Sequence, residues 1–227
     1  MNLPKLIQGG MGVAISDWRL AKAVSQLGQL GVVSGTGISR IFASRLMDGD
    51  LSGNVRRALA NFSLPEPVQN MIDRYYTPGG KTPATPYKTP VAYTIKPPKF
   101  LDQVTAIANF VEVFLAKEGH SGLVGINLLE KVQMPNLASL YGAMLAGVDV
   151  VLMGAGIPTQ VAGILDKLSN HEPVSYRVDV HGANKDDDHR IHFDPENIFP
   201  GIAKLVGKLK RPKFLPIISS VVLAQAL

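Results

Sequence analysis

Glycine clusters stand where several short apolar runs of the sequence end. They occupy residues 9–12, 35–37 and 154–156. A glycine at the end of a parallel strand lets the backbone approach a ligand and turns N–H groups toward it. Each cluster could simply form a tight turn, but three glycines among residues 9–12 exceed what one turn requires. The pattern therefore indicates one large planar or phosphorylated ligand that contacts several loops.

The polar side chains offer little for covalent or metal chemistry. The chain has no cysteine, which excludes thiolate metal sites, iron–sulfur clusters and cysteine nucleophiles. His181, His189 and His192 stand near Asp179 and the acidic residues 186–188, but their spacing matches no zinc pattern. We therefore interpret this segment as a solvated turn and expect no metal site.

No catalytic residue can be assigned from the sequence. Ser34, Thr36 and Ser219 would be nucleophiles only beside a base, and nothing in the sequence supplies one. A dinucleotide site of the doubly wound type is disfavoured, because no glycine pair continues to G-x-G-x-x-G and no acid ends the second strand. A Walker A pattern is absent as well.

Strand-like runs alternate with segments of helical period along most of the chain. The predicted strands are 6–7, 31–34, 123–128, 148–153 and 214–218, and the predicted helices are 17–27, 100–118, 137–145 and 161–168. The strands are continuously apolar rather than alternating, which is typical of a parallel sheet covered by helices. The predicted class is α/β.

Two segments interrupt this alternation. Eight of the sixteen prolines lie between Pro65 and Pro98. Because prolines at this density cannot sit in a sheet ladder or a helix interior, residues 62–98 are predicted to form an ordered or semi-ordered excursion over the surface. Residues 174–195 alternate apolar and polar side chains around a polar tip, which predicts a surface hairpin inserted into the fold.

The composition of the chain narrows the classes of molecule that it is expected to bind. The 227 residues are 46% hydrophobic and carry a net charge of +5. This mild basicity suits an anionic ligand but is too diffuse to indicate nucleic acid. No run is apolar and long enough for a membrane span, and no signal peptide is evident. The expected location is the cytoplasm, with no membrane partner.

Two motifs carry a family resemblance. Residues 6–16, LIQGGMGVAIS, resemble the opening strand and loop of the nitronate monooxygenases, formerly 2-nitropropane dioxygenases; the flavin-dependent enoyl-ACP reductases begin similarly. Residues 124–128, VGINL, resemble the family's third strand, whose asparagine contacts FMN. The proline-rich excursion and residues 178–180 resemble a longer subgroup that includes proteins associated with polyunsaturated fatty acid synthases.

The resemblance implies a (β/α)₈ TIM barrel with FMN at the carboxyl ends of the strands. Gly10, Met11 and Gly12 would present backbone to the flavin, Asn127 would hydrogen-bond it, and Gly154 would line the same pocket. The family's later Gly-Gly-His segment and its phosphate-binding loops do not occur. We therefore expect one incomplete domain over 1–227, with the first five barrel strands of a longer protein and no activity alone.

The leading functional hypothesis is an FMN-dependent oxidoreductase that converts an alkyl nitronate and O₂ to a carbonyl compound and nitrite. One alternative is a flavin-dependent enoyl-thioester reductase that takes hydride from a nicotinamide. Another is a non-catalytic fragment or scaffold. The expected ligand is a small molecule, a nitronate or an enoyl thioester, and the oligomeric state stays open.

Overall fold

A computed structural model describes residues 4–184 and 187–226. The helices are α1 Trp18–Gln26, α2 Ile38–Met47, α3 Asn54–Leu59, α4 Pro65–Tyr75, α5 Lys99–Lys117, α6 Asn136–Leu145, α7 Val161–Ser169, α8 Pro195–Ile198, α9 Ile202–Val206 and α10 Val221–Ala226. The strands are β1 Gly31–Ser34, β2 Val124–Leu129, β3 Val150–Gly154, β4 Val174–Arg177, β5 Arg190–Phe193 and β6 Lys213–Pro216. No helix among the described residues is both long and apolar enough to cross a membrane.

The main sheet is parallel and follows chain order. Its four strands lie in the order β1-β2-β3-β6. Before β1, Ile7 forms a parallel bridge with Leu30, and the N–H of Gln8 donates to the Leu30 carbonyl at 3.0 Å. Five parallel segments are therefore neighbours in the order in which they occur. The α/β class is confirmed, while the described residues form no closed barrel.

One face of this sheet carries the helices. Helices α1, α5, α6 and α7 pack side by side in that order, and each contacts the next. Val33, Ile126 and Val151 point into the resulting main core. The opposite face of the sheet holds a smaller, separate cluster that includes Val32 and Leu152. Successive right-handed connections that always step in one direction place the helices on one face.

Helix α5 is the centre of the helical layer. Most of its residues are buried, including polar ones, because α1, α2, α3 and α6 all contact it. Its Glu112 carboxylate accepts the Trp18 N–H at 2.8 Å and a hydrogen bond from Arg45 at 2.6 Å. Burial raises the pKa of Glu112, and these partners offset part of that effect. These two hydrogen bonds to Glu112 hold the start of α1 and the end of α2 against α5.

The prediction for the proline-rich segment was partly wrong. Residues 76–98 contain no helix or strand, as expected, but residues 65–75 form helix α4. Pro65 and Pro67 stand in its first turn, where backbone N–H groups have no intrahelical acceptor and a proline removes nothing. The first two prolines of the segment therefore mark a helix start, while the other six lie in the irregular chain over 76–98.

The predicted hairpin exists but is not confined to the surface. Strands β4 and β5 pair antiparallel, with Val174 opposite Phe193 and Tyr176 opposite Ile191. These four side chains are buried in the main core, because the apolar face of the hairpin packs against α6 and α7. Residues 185–186, part of the predicted polar tip, lie outside the described residues.

Candidate functional site

The loop after the first parallel segment lies against the sheet face that carries no helices. Gly10 has φ +64°, and a Cβ there would overlap the Val32 side chain and approach the Asn127 Cβ to 2.9 Å. Only glycine satisfies both the backbone conformation and this close contact. The requirement explains why the chain carries glycine where the loop crosses β1 and β2.

A glutamine helps to anchor this loop, and sequence analysis did not single it out. The Gln8 side-chain oxygen accepts the Val32 N–H at 3.1 Å, and its amide nitrogen donates to the Ser16 hydroxyl at 3.2 Å. Gln8 thus joins both ends of the loop to β1. The sequence feature that could have indicated this role is the position of an amide side chain between the apolar Ile7 and Gly9.

Asn127 joins the loop to β2. Its amide nitrogen donates to the Gly9 carbonyl at 2.6 Å and lies 3.4 Å from the Met11 sulfur. A carbonyl oxygen only accepts hydrogen bonds, so this contact sets the orientation of the amide. The Asn127 Oδ1 atom then points elsewhere and has no hydrogen-bond donor among the described residues. It is an available acceptor.

Gly10, Met11, Gly12 and Asn127 line one cleft of about 170 Å³ at the carboxyl ends of the strands. Its remaining lining residues are Val13, Ser34, Thr36 and Leu129. The Thr36 hydroxyl accepts the Leu129 N–H at 3.0 Å, which fixes one wall. The N–H groups of Met11 and Gly12 make no hydrogen bond within the described chain. The residues that line the cleft thus include two with unpaired backbone N–H groups, one with an available amide oxygen, and apolar side chains.

Gly154 does not line this cleft. It ends β3 opposite Leu129, its carbonyl accepts the Glu130 N–H at 2.8 Å, and a Cβ there would lie 3.0 Å from Ile217. It therefore sits at the same end of the sheet, farther along toward β6. The structure brings the other four predicted residues together and leaves Gly154 apart from them.

The titratable side chains that form hydrogen bonds or ion pairs with other residues lie outside the cleft. Burial would raise the pKa of Asp149, but hydrogen bonds from Lys117, Lys210 and the Val124 N–H outweigh it and lower that pKa. Asp149 precedes β3, so this cluster lies at the amino ends of the strands. These hydrogen bonds stabilise the end of the sheet that lies opposite the cleft.

Two histidines are likewise held by the fold. His120 Nε2 lies 2.6 Å from the Ala116 carbonyl, and its Nδ1 accepts the Gly122 N–H at 3.1 Å. His171 Nε2 lies 2.7 Å from the Gly207 carbonyl, and its Nδ1 lies 2.7 Å from the Tyr141 hydroxyl. Since a carbonyl needs a donor, each ring carries its proton on Nε2. Neither ring faces the cleft.

Within the described ranges, no three acidic or histidine side chains are grouped to hold a metal ion. His189 lies 3.9 Å from Asp187 on the hairpin, and Asp186 falls outside the described residues. The cleft itself contains no carboxylate, imidazole or amine among its lining residues. Its chemistry is therefore that of binding and orientation.

No protein-family model, no curated protein and no solved structure matches this chain.

Proposed function

We propose that this chain provides the flavin-contacting part of an FMN-dependent oxidoreductase of the nitronate monooxygenase type. The observation that carries the proposal is the convergence of the residues 10–12 backbone and the Asn127 amide in one cleft. In parallel α/β folds, ligands bind at the carboxyl ends of the strands. The cleft lies at that end.

The sheet order supports a fold of the (β/α)₈ type. A doubly wound sheet reverses its strand order at a switch point and carries helices on both faces. Here five parallel segments follow chain order without reversal, and the helical layer covers one face. That arrangement is the one from which a barrel is built, with the uncovered face turned inward.

The residues of the cleft fit the edge of a flavin ring. A flavin's pyrimidine edge alternates carbonyl acceptors with an N–H donor, and the cleft offers the N–H groups of Met11 and Gly12 beside the Asn127 Oδ1 acceptor. Val13 and Leu129 supply apolar contact. A volume of about 170 Å³ accommodates a ring edge rather than a whole dinucleotide-sized ligand.

A bound flavin supplies the redox chemistry, which converts an alkyl nitronate and O₂ to a carbonyl compound and nitrite. The chain's own residues bind and orient. The Asn127 amide keeps the loop closed over β2 through Gly9 and leaves Oδ1 for the ligand. Gln8 holds the loop against β1. No residue of the cleft is assigned a proton-transfer step, because none of them is an acid or a base.

The first test is flavin binding by the purified protein. We expect stoichiometric FMN and at least a tenfold loss of affinity in Asn127→Ala, because the acceptor and the loop anchor are both removed. Asn170→Ala, at an exposed position after α7, is the matched control and should bind as the wild type does. The melting temperatures of the variants show whether a loss of flavin binding is caused by a loss of folding. A protein without flavin affinity would instead favour the non-catalytic scaffold.

The second test distinguishes the two reactions. Nitrite release and oxygen consumption with propionate 3-nitronate or nitropropane nitronate support the monooxygenase. Oxidation of NADH that depends on an enoyl thioester supports the reductase alternative. Both assays use the FMN-loaded protein. Flavin binding without either activity would agree with the expectation that this chain is inactive alone, and turnover in either assay would contradict that expectation.

A further inference from the structure

The methionines of the chain differ sharply in their exposure to solvent. Six of the seven lie within the described ranges. Four of these belong to the main core and are at most 2% exposed: Met47, Met71, Met144 and Met153. Met134 is 38% exposed and Met11 is 60% exposed. Since burial protects a thioether from oxidants in solution, Met11 is the described methionine that such an oxidant reaches most readily.

The sulfur of Met11 contacts the amide group that holds the glycine loop, residues 9–12. The Asn127 Nδ2 atom carries two hydrogens. It donates to the Gly9 carbonyl at 2.6 Å and to the Met11 sulfur at 3.4 Å. A thioether sulfur is a weak acceptor, so the second of these contacts is weak. A stronger acceptor at the Met11 sulfur would therefore be satisfied without breaking the bond to Gly9.

Oxidation by hydrogen peroxide supplies such an acceptor. A lone pair of the Met11 sulfur attacks one peroxide oxygen, so an S–O bond forms and the O–O bond breaks. The hydroxide that leaves takes up the proton of the transferred hydroxyl group, and the products are methionine sulfoxide and water. The sulfur loses two electrons and the peroxide gains them. The three rotatable bonds of a methionine side chain let the new oxygen turn toward Asn127 Nδ2.

We propose that Met11 is a site of reversible oxidation by peroxide, and that its sulfoxide strengthens the attachment of the glycine loop to β2. The sulfoxide oxygen accepts the second Asn127 hydrogen, and a full hydrogen bond replaces the weak contact with sulfur. The attachment of the loop to β1 through Gln8 is unchanged. The oxidised loop therefore opens less often than the reduced loop.

Peptide mass spectrometry after timed treatment with dilute hydrogen peroxide tests the site of oxidation. We expect Met11 to be oxidised at least threefold faster than Met134, and the four core methionines to react only after unfolding in urea. Equal or faster oxidation of Met134 would contradict the assigned site. Methionine sulfoxide reductases A and B, each specific for one epimer, should together restore the Met11 thioether. A sulfoxide that persists in the folded protein would refute reversibility.

Hydrogen–deuterium exchange of the peptide over residues 6–16 tests the attachment of the loop. The Gln8 N–H donates to the Leu30 carbonyl, and the Ile15 and Ser16 N–H groups donate to the Gly12 carbonyl, so their exchange reports on loop opening. We expect exchange at least threefold slower in the oxidised protein than in the untreated protein.

Two leucine variants identify the methionine that is responsible. Met11→Leu keeps an apolar side chain and removes the sulfur, so peroxide should leave its exchange unchanged. Met134→Leu is the matched control, because Met134 is exposed but does not line the cleft. Peroxide should slow its exchange as much as that of the wild type. Slowing in Met11→Leu would show that another residue causes the effect and would overturn the proposal.

Asn127→Ala separates the hydrogen bond from the general effect of a more polar side chain. Met11 should still be oxidised in this variant, but its exchange should not slow, because the donor is gone. Equal slowing in Asn127→Ala and the wild type would overturn the proposal, as would unchanged or faster exchange in the oxidised wild type. Melting curves confirm that each variant is folded. Neither measurement requires flavin, so the result does not depend on FMN binding in the cleft.

Discussion

Two neutral amides, Gln8 and Asn127, organise the candidate site. Each uses part of its side chain to hold the glycine loop, Gln8 against β1 and Asn127 against β2. An amide can do this because it carries a donor and an acceptor at once. In Asn127 the donor is used by Gly9 and Met11, and the acceptor is left free. The residue therefore links loop position to ligand recognition.

Asp102 is the residue whose titration has the clearest consequence for stability. Burial raises the pKa of Asp102 to about 7, against 3.8 for the free side chain, and Tyr93 donates to it at 3.3 Å. The native state therefore holds a proton that the unfolded state releases between these two values. Its contribution to stability is complete below pH 3.8 and is lost as the pH rises through 7.

Asp102→Asn should remove this dependence. Asparagine has no charge to bury and still accepts from Tyr93, so we expect about 1–3 kcal/mol more stability at pH 8 and almost no change at pH 4. Urea unfolding at both pH values measures it. Asp73→Asn, at an exposed position of α4, should change neither value by a comparable amount. A uniform gain at both pH values would contradict the assigned cause.

At the scale of the elements, the hydrophobic periodicity of the sequence predicted the helices and strands that local sequence determines. The bounds of strands β1, β2, β3 and β6 and of helices α1, α5, α6 and α7 lie within two residues of the predicted ones. The helix over 65–75 was missed because proline was read as a breaker without regard to its position in the first turn. The burial of the hairpin was missed because alternation shows that one face is apolar, not what that face contacts.

The site was predictable only in part, for a related reason. A resemblance placed Gly10, Met11, Gly12 and Asn127 at one end of the sheet, and they do lie together, while their contact with a flavin stays a prediction. The separation of Gly154 follows from a register between strands that are distant in sequence. That register has no local signal in the sequence.

The contact between α5 and α6 yields a prediction about packing. A Cβ on Gly142 would overlap the backbone carbonyl of Ala106, which cannot move aside without shifting α5. Gly142→Ala should therefore destabilise the protein by about 1–3 kcal/mol, although alanine favours helix by about 1 kcal/mol.

The matched control is the same substitution in α7. Gly163 has nothing within 4 Å of an added Cβ, so Gly163→Ala should be neutral or stabilising by up to about 1 kcal/mol. Denaturant unfolding of both variants gives the comparison. Equal effects at the two positions would show that the helix pair adjusts freely and that the close approach is not required.

For the whole molecule, the defining feature is a sheet with one covered face and one open face. Asn127, Leu152 and Leu215 lie in register on the open face, and the cleft occupies its carboxyl end. Leu215 is 39% exposed and the neighbouring Ile217 is 48% exposed. Strand β6 also pairs on one side only within the described residues. Exposed apolar surface beside an unpaired strand edge promotes association.

The 227-residue chain should therefore self-associate in dilute buffer. Leu215→Gln with Ile217→Gln should shift sedimentation toward monomer, because both side chains are partly exposed and the substitutions make this part of the open face polar. Leu51→Gln is the control: Leu51 is 81% exposed and lies between α2 and α3, away from this face, so the variant should associate as the wild type does. If the wild-type chain is monodisperse, monomeric and melts cooperatively, the open face is not an association surface, and the fold is stable with that face in contact with water.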